Sequence, residues 1–301
     1  MIAPVPSHRR SASRGALFPA PVAVKVPEIT FLFWVIKILT TAGGEATSDY
    51  LALDLYRDSR PTVVVIETAI LVTGLAWQFR TRRYTTAAYW FLAYAIAIFG
   101  TGVSDALHLV VGIPYAGTTL LWAVVLAVVF WRWHASERTL SIHSIYTRRR
   151  ECYYWAVVFA TFALGTALGD FTAASLHLGY LASGILFFVV ILIPAVAWKG
   201  FGLNPVVAFW SAYVVTRPLG ASFADYFGKP HSLSGAAYGE GPVAVITTVI
   251  VAVLVGYLCV ARSDVQRPAS YPAEGYPAAS YPAEGYPAVS ADAVGDDAMG
   301  R

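Results

Sequence analysis

Long apolar runs alternate with short polar segments along most of this chain. Eight of the runs are close to the ~20 residues that an α-helix needs to cross the hydrocarbon core of a bilayer. They lie at about 29–48, 62–79, 88–107, 115–133, 153–172, 179–198, 205–226 and 242–261. The pattern predicts an all-α, polytopic membrane protein with eight transmembrane helices. The first and seventh runs contain charged residues and are the weakest of the eight when each is considered alone.

Composition and charge distribution support a membrane location. The chain is 57% hydrophobic and only 13% charged, whereas soluble domains carry about 25% charged residues. Fifteen lysines and arginines lie in the N-terminal segment and on alternate connections, against three on the opposite side, Arg57, Arg60 and Lys229. Positive residues accumulate in cytoplasmic loops. We therefore expect a plasma (inner) membrane protein with both termini in the cytoplasm and no cleaved signal peptide.

The two ends of the chain differ from its apolar middle. Residues 1–27 are basic and proline-rich, and residues 262–301 contain four tandem pentapeptides that begin Tyr-Pro-Ala. Both segments are predicted to be disordered cytoplasmic tails, which leaves residues 28–261 as the transmembrane domain. The C-terminal tail is either a plain solvated segment or a docking segment for a partner.

Four stretches of the transmembrane domain align without gaps. Each begins with an aromatic residue followed by Trp, and has Gly ten, a small residue fourteen and Asp fifteen positions after that Trp. The shared residues are Trp34, Trp90, Trp155 and Trp210, then Gly44, Gly100, Gly165 and Gly220, then Asp49, Asp105, Asp170 and Asp225. These stretches define four two-helix repeats at about 28–80, 84–133, 150–198 and 204–261.

The spacing within the repeat predicts a packing face. At 3.6 residues per helical turn, the Trp, the Gly and the second small residue lie on one side of a helix. A pair of small residues four positions apart lets two membrane helices approach closely. Because all four motif helices follow a cytoplasmic segment, they run in the same direction, as parallel repeats about a pseudo-symmetry axis along the membrane normal. We expect them at the centre, with the other four helices facing lipid.

The repeat resembles that of a bacterial family of integral membrane proteins built from four two-helix units, each with a characteristic tryptophan. The resemblance rests on the Trp, Gly and Asp of all four copies and covers about residues 28–261. It implies the eight-helix architecture. The family is described as a repeat of unknown function, so the resemblance implies no activity.

Four charged residues lie inside the apolar runs: Lys37, Glu45, Glu67 and Arg217. A charge at the bilayer centre costs at least ~2.5 kcal/mol, so such residues normally face the protein interior and have partners. Counted from the Trp of their own repeats, Glu45 and Arg217 differ by four positions, which is about one helical turn. They can therefore pair across helices. Either the four charges are static ion pairs that fix helix register, or they form a binding or proton-coupling site between the first and last repeats.

The four repeat aspartates are predicted to lie near the outer face. Together they can form a ring of carboxylates that attracts cations; alternatively, each caps a short segment that follows it. His108, His177 and His231 follow three of them and suggest divalent metal binding. Their spacing is not repeated between the copies, so we predict no metal site.

These patterns favour a transporter or channel-like protein for a cation or small polar solute. The alternative is a non-transporting structural or signalling membrane protein. The chain has no phosphate-binding loop and no HExxH, GxSxG or CxxC motif, and its polar connections are short. We therefore predict no enzymatic activity, no cofactor and no nucleic-acid partner, with the lipid bilayer as the surrounding partner. Cys152 and Cys259 are interpreted as structural.

Overall fold

The computed structural model describes residues 18–266, and every regular element in that range is helical. The eight long helices are α1 Phe31–Asp49, α2 Arg60–Arg80, α3 Thr86–Leu109, α4 Tyr115–Glu137, α5 Arg148–Asp170, α6 Gly179–Phe201, α7 Pro205–Gly228 and α8 Glu240–Ala261. Short π-helical segments, Tyr50–Leu55 and Phe171–Ser175, continue α1 and α5. The pentapeptides of the predicted C-terminal tail lie outside the described residues.

Six of these helices are long and apolar enough to cross a membrane: α2, α3, α4, α5 with its π-helical extension, α6 and α8. The chain is therefore a membrane protein. Helices α1 and α7 are less apolar because α1 carries Lys37 and Glu45, and α7 carries Arg217 and Asp225. The same two segments are the weakest of the predicted spans, and the charges are the reason in both cases.

Helices α1, α3, α5 and α7 form a closed central ring, in which α1 packs on α3, α3 on α5, α5 on α7 and α7 on α1. Each outer helix packs on the central helix of the following repeat, so that α2 lies on α3, α4 on α5, α6 on α7 and α8 on α1. In the apolar windows of α3 and α5, 67% and 72% of the residues are buried, against 22% in each outer helix. The outer helices thus leave most of their apolar surface exposed, as predicted for helices that face lipid.

The repeat glycines make the same close contact four times around the ring. Each glycine lies against the residue seven positions after the Trp of the next copy. The pairs are Gly44 with Ala97, Gly100 with Phe162, Gly165 with Arg217, and Gly220 with Thr41. A Cβ on any of the four would lie under 3.0 Å from that neighbour. The second small residue is less critical, since a Cβ on Gly169 would have its nearest neighbour at 3.6 Å.

The aromatic residue before each Trp makes a second closed cycle of contacts. Its ring packs on the Trp of the next copy with centroid distances of 5.3–6.0 Å. The pairs are Phe33 with Trp90, Tyr89 with Trp155, Tyr154 with Trp210, and Phe209 with Trp34. The four central helices are therefore parallel, and we call the two ends of the ring the tryptophan end and the aspartate end.

Residues 18–30 pack across the tryptophan end, so the prediction of a disordered tail does not hold for residues 18–27. The Tyr84 backbone N–H donates to the Val24 carbonyl at 3.1 Å, and the Lys25 N–H to the Ile145 carbonyl at 3.0 Å. The Lys25 ammonium is buried 3.3 Å from Glu151, and burial lowers the pKa of Lys25 despite the attraction of that carboxylate. Composition alone predicts disorder here, because it carries no information on contacts with connections that are distant in sequence.

Candidate functional site

Glu45 and Arg217 meet at the centre of the ring. Arg217 Nη2 donates a hydrogen bond to Glu45 Oε2. The Arg217 side chain is 0% exposed and the Glu45 side chain is 3% exposed. The alignment of the repeats predicts this pairing. Arg217 lies seven residues after the Trp of the fourth copy, and Glu45 lies eleven residues after the Trp of the first. The pair joins the two copies that are farthest apart in sequence.

Two threonines complete this polar core. Thr101 Oγ1 donates to Glu45 Oε2 at 2.8 Å, and Thr166 Oγ1 donates to the same oxygen at 3.2 Å. Both hydroxyls also accept from Arg217 Nη2, at 2.5 Å and 2.7 Å. Each of the four central helices thus contributes one side chain to a single cluster. Thr101 and Thr166 are absent from the predicted site, although they share the repeat position of Glu45, eleven residues after the Trp. That shared position is the signal that identifies them.

Lys37 is 0% exposed, as expected for an interior residue, but it does not join the carboxylate of Glu45. Its Nζ has no hydrogen-bond partner within residues 18–266. The amine instead lies over two aromatic rings, 4.0 Å from the centroid of Phe162 and 4.4 Å from that of Tyr213. Arg217 is a neighbouring charge and repels it.

At the aspartate end, the Lys229 ammonium contacts three carboxylates. It donates to Asp49 Oδ2 and lies 3.6 Å from both Asp225 Oδ1 and Glu240 Oε1. Burial alone would lower the pKa of Lys229, but these three carboxylates raise it well above its usual value. Lys229 is therefore a fixed positive charge at neutral pH. The sequence predicts Lys229 only as a charge of an outer connection and gives no role to Glu240. The four-residue spacing from Asp225 to Lys229 is the signal that indicates their contact.

Glu67 approaches the ring from outer helix α2. Ser48 Oγ donates to Glu67 Oε1 at 2.7 Å, and Asp49 is a neighbouring charge. The carboxylate packs against the backbone of Gly102 in α3, where any Cβ would collide with it. Glu67 therefore extends the acidic cluster toward α2.

The structure brings the four repeat aspartates into one electrostatic group. Asp105 interacts with Asp49 and Asp170, and Asp225 interacts with the same two residues. The alternative prediction, that each aspartate caps a following segment, is wrong. Asp49 and Asp170 have helical backbone and make no capping hydrogen bond, and the other two lie within α3 and α7. The helices continue past the aspartates, so no helix N-terminus begins there to be capped.

Acidic groups outnumber basic groups in this connected cluster. Among the described residues it contains seven carboxyl groups, those of Glu45, Asp49, Glu67, Asp105, Asp170, Asp225 and Glu240. It contains three basic groups, those of Lys37, Arg217 and Lys229. All of the carboxyl groups except that of Asp105 are buried. Because a buried carboxylate without a partner is costly, the surplus of four carboxyl groups calls for bound protons or cations.

Three of these residues are close enough to share an ion. One oxygen each of Glu45, Asp49 and Asp225 lies within 4.8 Å of the others, and carboxylate oxygens are the ligands that hard cations prefer. Each of the three carboxylates already has a basic neighbour, Arg217 at Glu45 and Lys229 at both Asp49 and Asp225. The arrangement therefore suits cation attraction better than a preformed metal site.

The centre of the ring is closed to solvent in this structure. Two apolar grooves of about 280 and 250 Å³ lie outside the polar cluster. The first is lined by α6 and the second by α2, α3 and α5, and neither includes Glu45 or Arg217. No histidine belongs to the ion-sized group of Glu45, Asp49 and Asp225 among the described residues. Nδ1 of His108 lies 2.9 Å from the Ile113 carbonyl oxygen, and Nδ1 of His231 lies 2.8 Å from that of Gly235.

Comparison with known proteins identifies the repeat. Four tandem segments, residues 32–84, 88–139, 153–202 and 208–264, match a family model described as Repeat of Unknown Function (DUF347). The match confirms the predicted family resemblance. No curated protein and no solved structure matches the chain. Any functional conclusion therefore has to come from the geometry of the site.

Proposed function

The chain belongs to the DUF347 repeat family, and from that premise we propose that it is a transporter or channel-like protein that moves a cation across the plasma membrane. The observation that carries the proposal is the surplus of carboxyl groups in the cluster, seven, of which six are buried, against three basic groups. Cation pathways in membranes are commonly lined by rings of such groups.

The proposal includes a membrane topology. All eight helices cross the bilayer, as parallel repeats about an axis along the membrane normal, with the tryptophan end and both termini in the cytoplasm. The cyclic contacts of the glycines and aromatic residues support the axis. The uneven distribution of lysine and arginine supports the direction. Helices α1 and α7 can span despite their charges, because those charges face each other inside the ring.

A purely static network explains the cluster less well. A buried ion pair that only fixes helix register needs one base for each carboxylate, since an unpaired buried charge is strongly destabilising. Arg217 satisfies Glu45, whereas Lys229 alone serves Asp49, Asp225 and Glu240. Exchangeable protons or cations at the remaining carboxyl groups would balance the charge and would also supply the transported species.

One observation favours the second candidate function, a non-transporting structural or signalling protein. Glu45 and Arg217 are closed to solvent, hydrogen-bonded to each other and to two threonines, and no described groove reaches them. In the transport proposal this arrangement is an occluded state, which must open toward one side at a time. In the static alternative it is the only state.

Flux measurements on the purified full-length protein in lipid vesicles separate the two candidates. The panel comprises protons, sodium, potassium, magnesium, calcium, manganese and small polar solutes, with uptake and efflux both followed. We expect one cation to move, and Glu45→Gln and Asp225→Asn to slow it by about tenfold or more. Asp54→Asn is the matched control, because Asp54 is an exposed carboxylate outside the cluster. Absence of flux for the whole panel, or unchanged flux in both cluster variants, rejects the transport proposal.

A further inference from the structure

The ring between the tryptophan layer and Arg217 has a chemistry unlike that of the aspartate end. In residues 34–44, 90–100, 155–165 and 210–220, the four central helices carry no aspartate or glutamate. Their charged side chains there are Lys37 and Arg217 alone. Any ion that enters from the acidic cluster must pass two positive groups before it reaches the tryptophan end.

Lys37 is the one side chain in this part of the ring that is both charged when protonated and without a polar partner. Its Nζ lies 4.0 Å from the Phe162 centroid and 4.4 Å from the Tyr213 centroid, and it makes no hydrogen bond within the described chain. A fixed ammonium so placed has rings on two sides and the repulsion of Arg217 on another. A structural role would be served better by an aliphatic side chain, whereas an amine can accept and release a proton.

Three tyrosine hydroxyls continue from Lys37 toward the tryptophan end. The hydroxyl oxygens of Tyr89 and Tyr154 are 2.5 Å apart. The Tyr213 hydroxyl is an electrostatic neighbour of both but makes no hydrogen bond within residues 18–266. Tyr213 is the residue whose ring faces Lys37. Tyr89 and Tyr154 can exchange a proton directly, because each hydroxyl both donates and accepts, whereas transfer to Tyr213 needs a side-chain movement that closes its hydrogen bond.

A further tyrosine, Tyr84, packs on Tyr89 at the tryptophan end. The ring of Tyr84 packs on that of Tyr89 at 5.7 Å, and the Tyr84 hydroxyl donates to Asp264 Oδ2 at 2.5 Å. Burial and the negative charge of Asp264 raise the pKa of Tyr84, so its hydroxyl stays protonated. Protonatable groups therefore extend from Asp264 to Lys37, and from there past Arg217 to the acidic cluster.

A metal cation does not suit this half of the ring. Sodium, calcium and manganese need several oxygen ligands, with carboxylates favoured for the divalent ions. Here a metal ion would meet aromatic rings, scattered hydroxyls and the repulsion of two basic side chains, which is strong at low dielectric. A proton needs no such ligand shell, because it is carried by the side chains themselves.

We infer that the cation moved by this protein is the proton, and that Lys37 carries it between the acidic cluster and the Tyr89–Tyr154–Tyr213 hydroxyls. The inference rests on the proposed function and names its substrate. Lys37 acts as a proton carrier and the tyrosines as its relay toward the cytoplasmic side. The acidic cluster supplies and accepts protons at the aspartate end.

The test uses the full-length protein in vesicles that enclose a pH-sensitive dye, with a potassium diffusion potential set by valinomycin. We expect the potential to drive proton influx, with no flux of sodium, calcium or manganese through the protein. Lys37→Leu should slow proton influx by about tenfold or more. Lys37→Arg should slow it as much, because a guanidinium keeps its charge but does not release its proton. Lys199→Leu, at an exposed lysine of α6, is the matched control and should leave influx unchanged.

A second variant separates proton transfer from folding. Tyr89→Phe keeps the ring that packs on Trp155 and removes only the hydroxyl that meets Tyr154. We expect it to stay folded, with a thermal unfolding temperature only a few degrees below that of the parent because one buried hydrogen bond is lost, and to lose proton influx. Wild-type influx in Lys37→Arg, or in Tyr89→Phe, overturns the inference. Movement of a metal cation in place of protons also overturns it while the proposed function stands, and the absence of any flux rejects both.

Discussion

At the scale of single residues, Arg217 is the side chain on which the polar core depends. It is the only basic group bonded to Glu45 in the described chain, and it also donates to Thr101 and Thr166. Its aliphatic stem packs against the Gly165 backbone. Charge pairing, hydrogen bonding and close helix packing therefore coincide in one residue.

Removing that guanidinium should leave the buried Glu45 carboxylate without a basic partner. We expect Arg217→Met to lower the free energy of unfolding by about 3–5 kcal/mol, because an unpaired buried charge remains. The double variant Arg217→Met with Glu45→Gln should recover part of that loss, since no charge is left. Denaturant unfolding in detergent micelles measures both. Equal losses in the single and the double variant would show that the pair is not coupled.

Lys229 has the corresponding role at the aspartate end. Lys229→Met leaves Asp49, Asp225 and Glu240 without their shared ammonium, and we expect about 3 kcal/mol of destabilisation at neutral pH. The folded-state pKa of Lys229 is raised above the usual 10.5, so its stabilisation is complete below pH 10.5 and is lost as the pH rises through the raised pKa.

Unfolding curves of the parent and Lys229→Met across alkaline pH test this directly. The stability difference should be constant up to about pH 10.5, the usual pKa of a lysine, and should shrink above it. Lys199→Met, at an exposed lysine, provides the control and should match the parent throughout. A difference that shrinks between neutral pH and pH 10 would contradict a raised pKa.

At the scale of helices, the ring depends on glycine at one position of each copy. Gly44→Ala would place a Cβ under 3.0 Å from the Cβ of Ala97 in the neighbouring helix, and 3.0 Å from the backbone carbonyl carbon of Ala97. We expect a loss of about 1–3 kcal/mol from such overpacking. Gly256→Ala is the matched control, because no atom outside its own helix lies within 4 Å of a Cβ there. Thermal unfolding in micelles should separate the two; equal melting temperatures would contradict the close contact.

The packing face was predictable from sequence, because helical periodicity alone fixes which residues share a side. Periodicity does not say which neighbour a helix meets. The sequence therefore could not place α2 on α3 instead of on α1, the helix of its own repeat. Thr101 and Thr166 were missed for a related reason. Threonine in a membrane helix commonly bonds its own backbone, as both do here with Ala97 and Phe162, so threonine alone carries no signal.

The contact between Lys229 and Glu240 and the packing of residues 18–27 were beyond prediction because they depend on connections without periodicity. The described connection after α7 turns at Ser234, Ala237 and Gly239, all with positive φ. That path brings α8 back so that Glu240, its first residue, reaches Lys229. Pair interactions of this kind follow from the completed fold and not from any local pattern.

At the scale of the whole molecule, the proposed topology predicts which positions face each aqueous side. In a variant without native cysteines, Asp54→Cys and Arg138→Cys introduce thiols at exposed positions beside opposite ends of the ring. A membrane-impermeant maleimide should label Asp54→Cys in intact cells. It should label Arg138→Cys only after the membrane is permeabilised. The reverse pattern would invert the topology, and labelling of both in intact cells would reject it.

The last helix of the chain packs on the first, and this has a consequence for biosynthesis. Helix α1 carries Glu45 into the membrane long before the ribosome has made Arg217. The Glu45 carboxylate therefore has no basic partner until the fourth repeat is synthesised. A ring of cyclic contacts has no intrinsic beginning. A gene can be rearranged to start at the second copy, with the original ends joined. Its product should form the same ring, but Arg217 would be synthesised before Glu45. Such a circular permutant would show whether the order of synthesis, and not only the finished structure, has shaped this protein.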